Sequence, residues 1–524
     1  MSVILHSATS EAMEVYLTRV EACFMRGFSG VQLIGNIGES CRAGVERAKA
    51  ALEGLGHPLP QKKITLSLSP TYEKVNTSHF DLAMALALFI LLQTKEPAID
   101  LSRWILCAEL GLDGRLRGVK NVVSFGVAAL EGEMEGVIIS EDNLPELNAL
   151  QNLEIIRGRP LKVLAFRELV QITDWLESGI LPRPTKPALK EASLPIADCF
   201  DDMLLTPELE ELALTVAIGR HSLMMYGSPG TGKSMFSSRL ISIFPVLDAR
   251  THLEALKIHS CYASPVDSNL IAGLAAYRSP HHQASVAAVL GIPETPGEIS
   301  LAHGGVLFLD EFPEFRRDLI ESLREPLETG VVRVSRAKKK VAWIARPILV
   351  AACNLCPCGW FGSRIKDCTC PTLKIINYRR KMSGPILDRI DLHINMEENN
   401  KNRAMIFHKQ TQESRTKRMQ NKVLAGLDFS KKRNECLHVR ANADLKAQDL
   451  QQASGLNSAT FDALVEKVMP KNLSHRSLIR TLRVARTFAD LALCEVISAE
   501  DMQKALGYQA DFAARARGDY AIGL

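Results

Sequence analysis

Two groups of residues in this chain have the types and the spacing to do chemistry. The first is Gly227-Ser228-Pro229-Gly230-Thr231-Gly232-Lys233-Ser234, a full match to G-x-x-x-x-G-K-[ST]. An apolar run, SLMMY, precedes it, and a helix-like run, MFSSRLISIF, follows. In a strand–loop–helix setting the glycines let backbone N–H groups turn inward around phosphates, at a helix N-terminus that favours anions. Lys233 is then expected to neutralise the β- and γ-phosphates of ATP, and Ser234 to hold Mg²⁺. A chance glycine turn is the alternative, and strand, motif and helix together leave it little room. The second group is Cys356-Pro-Cys358-Gly followed by Cys368-Thr-Cys370, which gathers four thiols on one short segment. Four thiolates suit tetrahedral Zn²⁺ in a closed, structural site. The C-x-C spacing is less usual than C-x₂-C, and a reduced loop without metal is the competing reading.

Further candidates lie between and beyond these groups. The run VLFL ends in Asp310 and Glu311. A buried strand delivers such acids to the ligand edge of a parallel sheet, where Asp310 would hold Mg²⁺ through water and Glu311 would polarise the attacking water. Asn354 ends the next apolar run, PILVAACN, where a polar side chain can orient that water. Arg389 stands in SGPILDRID. There an arginine can reach a neighbouring subunit's γ-phosphate, or simply pair with Asp388 or Asp391.

The elements that must position these residues follow from pattern and composition. A chain of 524 residues holds roughly three or four domains. With 46% hydrophobic and 23% charged residues it is an ordinary globular sequence. A net charge of +4, from 63 basic and 59 acidic residues, neither demands nor excludes nucleic acid. The longest apolar run, 82–92, is too short for a bilayer and reads as a buried helix. The first residues have neither the basic nor the apolar region of a signal peptide, so a cytoplasmic chain is expected, with no membrane partner. The other eight of the 12 cysteines are scattered, which fits reduced, buried thiols. SGVQLIGNI, KITLSLSP, VIISEDN and LEIIRG read as strands, and SCRAGVERAKAALEGLG as a helix stopped by Gly56 and Pro58. Residues 180–194, with Pro182, Pro184 and Pro187, read as linker. SLMMY, GVLFLDE and PILVAACN are apolar almost throughout, as in parallel strands buried on both faces. Residues 400–510 read as mostly helical, with basic runs at 401–422 and 431–433.

The segments RSPHHQASVAAVLG, PGEISLAHGGVLFLDEFPEF, LREPLETGVVRVSRA, CNLCPCGW and SGPILDRIDLH resemble the magnesium-chelatase-like AAA+ ATPases of the ComM/YifB family. The likeness continues through LSHRSLIRTLRVARTFADL and covers nearly the whole chain. It implies an α/β fold in several parts. Residues 1–177 form an N-terminal domain like the proteolytic domain of Lon proteases, with a ribosomal-protein-like α/β fold, and 178–200 a linker. The AAA+ core of 201–397 is a P-loop α/β domain with a parallel sheet. It carries a helix-2 insert at 278–300, a pre-sensor-1 hairpin at 331–343 and the four-cysteine loop at 356–370. A helical linker and C-terminal lid fill 398–524. The resemblance makes Asn354 a sensor-1 residue, Arg389 a finger acting on the adjacent protomer and Arg476 a sensor-2 residue. It also implies a hexameric ring, and the family's matching cysteines favour zinc. Arg336, Lys338, Lys339 and Lys340 at the hairpin tip can meet phosphates, or be a solvated turn.

The segment Asn76-Thr77-Ser78-His79-Phe80-Asp81 corresponds to the region of the Lon nucleophile. Ser78 or His79 takes its place, with Lys120 as the lysine of matching type. The small flanking residues are lost, and Phe80 and Asp81 would crowd a peptide, so a scaffold or DNA-loading role is the expectation. The chain departs from the family at Val75 and Asn76, and at Cys353 and Leu355 beside Asn354. The function implied is a hexameric, ATP-driven motor on branched or single-stranded DNA. Its work would be branch migration during integration of incoming DNA in natural transformation or homologous recombination, with recombination proteins as further partners. A chelatase-type metal-insertion motor subunit and a Lon-like ATP-dependent protease are the alternatives. Against the chelatase stand the N-terminal domain and the cysteine loop. A module in which ATP only sets assembly is opposed by the intact Glu311 and Arg389.

Overall fold

The computed structural model describes residues 2–70, 76–132, 134–156, 161–182, 199–203, 205–336, 339–363, 365–382, 384–396, 414–469 and 474–517. Val75, most of the expected linker (183–198), Lys338, the side chain of Arg336 and residues 401–413 of the first basic run lie outside them.

The N-terminal region is built on a seven-stranded mixed sheet. Its spatial order is Gly30–Ile34, Lys63–Ser69, Glu14–Met25, Ser2–Glu11, Trp104–Cys107, Gly136–Ser140 and Lys162–Phe166. Ser2–Glu11 and Glu14–Met25 pair antiparallel as a long hairpin, and the strands from Trp104 onward are parallel. The apolar run forms the helix Asp81–Leu92, buried from Asp81 to Leu91 against the sheet and the helix Glu39–Gly54. A helix apolar on every side has no solvent face to offer, so it becomes the centre of this core.

One strand assignment is overturned. Residues 154–156 of LEIIRG form a single 3-10 turn, and the edge strand is Lys162–Phe166. Leu153 is buried while Ile155, two residues on, is exposed, so the run does not turn one face to a sheet as a strand would, and its short apolar pattern did not discriminate turn from strand.

The second sheet has five strands in the order Tyr277–Arg278, Val306–Leu309, Ile348–Cys353, Leu223–Tyr226 and Leu392–Asn395, all parallel. Leu223–Tyr226, Val306–Leu309 and Ile348–Cys353 are buried at every position, which is why they read as unbroken apolar runs. Register aligns Tyr226 with Cys353 and with Asn395, so the carboxyl ends of these strands share one edge. Residues 286–301 give the helix Val286–Leu290, a small hairpin and the turn Glu298–Leu301. Arg278 and Glu298 clamp this segment with contacts of 2.6 and 2.7 Å. Val331–Arg336 and Lys339–Ile344 form an antiparallel ribbon, tied to the insert by Trp343 Nε1 donating to the Ile292 carbonyl at 3.0 Å.

The C-terminal region is helical, with Arg415–Cys436, Ser458–Val468, His475–Leu491 and Ala499–Arg517 as its longer members. Its polar interior is tightly paired. Arg433 bridges to Asp490 at 2.7 Å, and Asn442 donates to Thr487 and Asp490 at 2.9 and 2.7 Å. His221 beside the core sheet meets Thr487 at 2.8 Å. Arg433, read from sequence as part of a basic run, is thus committed to the interior.

The two α/β regions share a hydrophobic cluster in which Val122, Phe125, Leu147 and Leu150 meet Ala255, Leu256, Val266 and Leu270. Glu146 is buried at this junction. It accepts from the Val266 backbone N–H at 3.1 Å and from the Ser260 hydroxyl at 3.4 Å. Burial pushes its carboxyl up to about 7, with those hydrogen bonds and one from Asn143 opposing. Among the described residues no helix is long and apolar enough to cross a membrane.

Candidate nucleotide site and cysteine cluster

The loop after Tyr226 leads into the helix Lys233–Leu240, so the phosphate-binding pattern sits between a buried strand and a helix N-terminus. Gly227 has φ +152, and a Cβ there would stand 2.6 Å from the Met396 carbonyl, which requires glycine where the loop leaves the sheet. The Lys233 ammonium donates to the carbonyls of Gly227 and Ser228 at 2.8 and 2.9 Å and to Asn354 Oδ1 at 3.3 Å. Burial pulls Lys233 below its ordinary range, opposed by Cys353 and Asp310. Thr231 closes the loop by donating to the Ser228 carbonyl at 3.0 Å.

Asp310 and Glu311 leave the carboxyl end of Val306–Leu309 at the same edge. The Ser234 hydroxyl donates to Asp310 Oδ2 at 2.7 Å, so the two groups expected to hold Mg²⁺ converge. Asp310 Oδ1 accepts from the Glu311 backbone N–H at 2.8 Å. Glu311 takes a left-handed backbone, φ 51, a costly conformation for a residue with a side chain. Its carboxylate lies 3.1 Å from His282 Nδ1, a histidine from the clamped insert.

Asn354 follows the buried strand Ile348–Cys353 and begins the loop that carries the cysteines. The Sγ atoms of Cys356, Cys358, Cys368 and Cys370 all lie within 4.8 Å of one another. Separations of 3.3 Å (Cys356–Cys358), 3.5 Å (Cys358–Cys368) and 3.6 Å (Cys356–Cys368) approach the tetrahedral edge of about 3.8 Å that Zn–S bonds of about 2.3 Å imply. The donor set therefore fits Zn²⁺. Gly359, at φ +85, presses this loop onto the phosphate loop, where its Cβ would stand 2.6 Å from Pro229 Cγ. Arg379 caps the other side, over the Phe361 ring at 4.8 Å and donating to the Leu355 carbonyl at 3.2 Å.

Arg389 is placed elsewhere. It precedes the strand Leu392–Asn395, whose Leu392 N–H donates to the Ser222 carbonyl, and the Arg389 carbonyl accepts from the Ser222 hydroxyl at 3.0 Å. Ser222 precedes Leu223–Tyr226, so Arg389 emerges at the amino edge of the sheet. A four-residue strand, about 13 Å long, separates that edge from the phosphate loop. The anticipated pairing with Asp388 or Asp391 is replaced by Glu328, whose carboxylate lies 2.6 Å from Arg389 Nη2. Asp391 pairs instead with His221 at 3.3 Å. Arg476 is exposed on the first turn of His475–Leu491, where its charge is among those that hold the Glu328 carboxyl below its ordinary range, after the Arg389 hydrogen bond. The structure thus gathers Lys233, Ser234, Asp310, Glu311 and Asn354, and sets Arg389 and Arg476 apart from them.

Ser78 donates to Glu109 Oε2 at 2.6 Å. His79 is buried, packed edge-on to Phe125 at 5.2 Å, and burial lowers it to about 4, with Lys120 adding. Among the described residues no hydrogen bond joins Ser78 to Lys120, and the Ser78 hydroxyl is given to Glu109 instead. Two contacts escaped the sequence reading: His282 on Glu311 and Glu328 on Arg389. The adjacent His281 and His282 were a visible signal for the first, whereas nothing in LREPLETG marks Glu328 among its charged neighbours.

Comparison with known proteins agrees with this arrangement. Three family models match: "Magnesium chelatase, subunit ChlI" over residues 204–404, "Subunit ChlI of Mg-chelatase" over 20–143, and "Magnesium chelatase, subunit ChlI C-terminal" over 413–509. YifB of Escherichia coli is 31% identical over 512 residues, 97% of each chain. The competence protein ComM of Haemophilus influenzae is 32% identical over 526 residues, again 97% of each. A Mycobacterium tuberculosis protein is 32% identical over 492 residues, covering 93% of this chain and 94% of its own. With near-complete coverage at this identity, and a chelatase-type AAA+ module that supports ATPase activity, the chain belongs to the ComM/YifB family of magnesium-chelatase-like AAA+ ATPases.

Proposed function

We propose that this protein is an ATP-hydrolysing hexameric ring motor that acts on branched or single-stranded DNA as a branch-migration helicase. It would promote integration of incoming DNA in natural transformation and homologous recombination. The observation that carries the ring is the split of the site. Lys233, Ser234, Asp310, Glu311 and Asn354 converge at one sheet edge, while Arg389 stands at the other. An arginine that cannot reach its own phosphate loop is suited to a neighbour's.

In this reading the loop 227–234 binds the phosphates, and Ser234 and Asp310 hold Mg²⁺. Glu311 polarises the water, Asn354 orients it, Arg389 stabilises charge at the adjacent protomer's γ-phosphate, and Arg476 is the sensor-2 arginine of the helical lid. Cys356, Cys358, Cys368 and Cys370 hold a structural Zn²⁺ that ties the loop after Asn354 into one piece. The DNA part is supported by the name of one relative, a competence protein, and by Lys339 and Lys340 on the ribbon beside Arg336. The test is strand exchange on three- and four-stranded DNA. A hexamer that hydrolyses ATP and moves no strand would refute the DNA role.

A chelatase-type metal-insertion subunit keeps some support from the three family models. The match over residues 20–143 removes the N-terminal region as an argument against it, leaving the cysteine loop. Recovery of a large chelatase subunit as a binding partner would favour it. The protease reading loses ground to the contact of Ser78 with Glu109.

A further inference from the structure

We infer that Glu328 is the positioning residue for Arg389, holding its guanidinium ready for the neighbouring protomer's nucleotide. The inference rests on the ring reading above and adds the residue that makes the finger usable.

An arginine at a subunit edge has four free side-chain torsions and loses entropy each time it docks on a phosphate. Arg389 has two restraints. Its Nη1 donates to the Pro385 carbonyl at 2.7 Å, within its own turn, and its Nη2 donates to Glu328 Oε2 at 2.6 Å, across to another element. Its Nε is buried and makes no hydrogen bond among the described residues, so these two contacts fix the guanidinium plane. The Arg389 side chain is 15% exposed and that of Glu328 60%, which leaves the pair at the surface, where a neighbour can meet it. Glu328 itself stands on a rigid support. It lies in the helix Arg324–Thr329, just before the ribbon strand Val331–Arg336. Gly330 N–H closes the helix on the Pro326 carbonyl at 2.8 Å. The Arg389 hydrogen bond holds the Glu328 carboxyl below its ordinary range, with further charge from Arg389 and then Arg476 and Arg324. Glu328 is therefore an anion collecting cations at the edge opposite its own phosphate loop.

An exposed ion pair adds little to stability, so loss of Glu328 leaves the protomer folded. Misplacement of a charge-stabilising group by about 1 Å costs up to about 100-fold in turnover. The experiment measures steady-state ATP turnover of the full chain as wild type, Glu328→Ala, Glu328→Gln, Arg389→Ala, the Glu328→Ala/Arg389→Ala double variant and Lys233→Ala. We expect Glu328→Ala to lower kcat about 10- to 100-fold with KM within about threefold of wild type. Glu328→Gln, which keeps an acceptor, should fall between. The double variant should match Arg389→Ala alone, because a finger already removed cannot be misplaced.

Mixing supplies the readout that a merely structural role would not move. Glu328→Ala protomers keep an intact phosphate loop, and Lys233→Ala protomers keep an intact finger. Mixed rings should turn over faster than either variant alone. Wild-type turnover of Glu328→Ala overturns the inference, as does a double variant well below Arg389→Ala. So does a Glu328→Ala and Lys233→Ala mixture that stays inactive while Arg389→Ala mixed with Lys233→Ala recovers. If that last mixture also stays inactive, the ring reading itself falls, and this inference with it.

Discussion

Replacing Gly359 by alanine probes whether the cysteine loop and the phosphate loop act as one body. Gly359 sits at φ +85, so any side chain there costs about 1–2 kcal/mol in the backbone alone. Its Cβ would also stand 2.6 Å from Pro229 Cγ and 2.8 Å from Cδ, with Asn354 Nδ2 at 3.7 Å. A proline ring fixed to a tight loop has no rotamer into which it can escape, and overpacking of this kind costs about 1–3 kcal/mol. If half of the total falls on the phosphate loop, nucleotide affinity drops by about 1–2 kcal/mol, or about 5- to 30-fold. Titration of a fluorescent ATP analogue reads this directly, and metal content measured on the same sample shows whether the cysteine cluster is intact. Adding Pro229→Ala should recover the steric part and leave the backbone part. Binding within twofold of wild type for Gly359→Ala, with unchanged metal content, would refute the mechanical link.

Other outcomes follow from the same geometry. Glu311→Gln should keep nucleotide binding and lose about 100-fold or more in turnover, as expected for a group that acts on water; equal rates would remove it as the activating base. Cys368→Ser should lower the metal content of the purified protein and its melting temperature together, and an unchanged zinc-to-protein ratio would count against the cluster. Glu146 gives a pH dependence. Its carboxyl rises from 4.5 to about 7 on folding, so the folded state binds the proton more tightly. That stabilisation is complete below about pH 4.5 and is lost as pH rises through about 7, an effect of about 3 kcal/mol. Melting curves should therefore show wild type losing stability between about pH 5 and 7.5 relative to Glu146→Gln, and parallel curves would contradict the assignment.

Much of the site was legible because its chemistry depends on local order. Residues 227–234 are contiguous, and a strand before and a helix after are enough to aim their backbone at phosphate. Asp310, Glu311 and Asn354 each end an apolar run, and parallel strands buried on both faces place such ends at one edge. The cysteines advertise themselves by type and spacing. Less was legible where the pattern is short or shared. LEIIRG has a buried Leu153 and an exposed Ile155 that do not share one face, and the basic run at 431–433 gave no sign that Arg433 turns inward to Asp490.

What the sequence determined by itself was the set of groups and the strand ends that carry them, since buried parallel strands follow from unbroken apolar runs. What only the tertiary structure decided was which groups meet. His282 reaches Glu311, Gly359 lies on Pro229, Glu146 is buried against Ser260 and Val266, and Arg389 pairs with Glu328 at the edge away from Lys233. These pairs lie on different elements. Their distances depend on sheet order and packing, which no local pattern encodes. That order is also what sets Arg389 beside Ser222, at the sheet edge away from the phosphate loop.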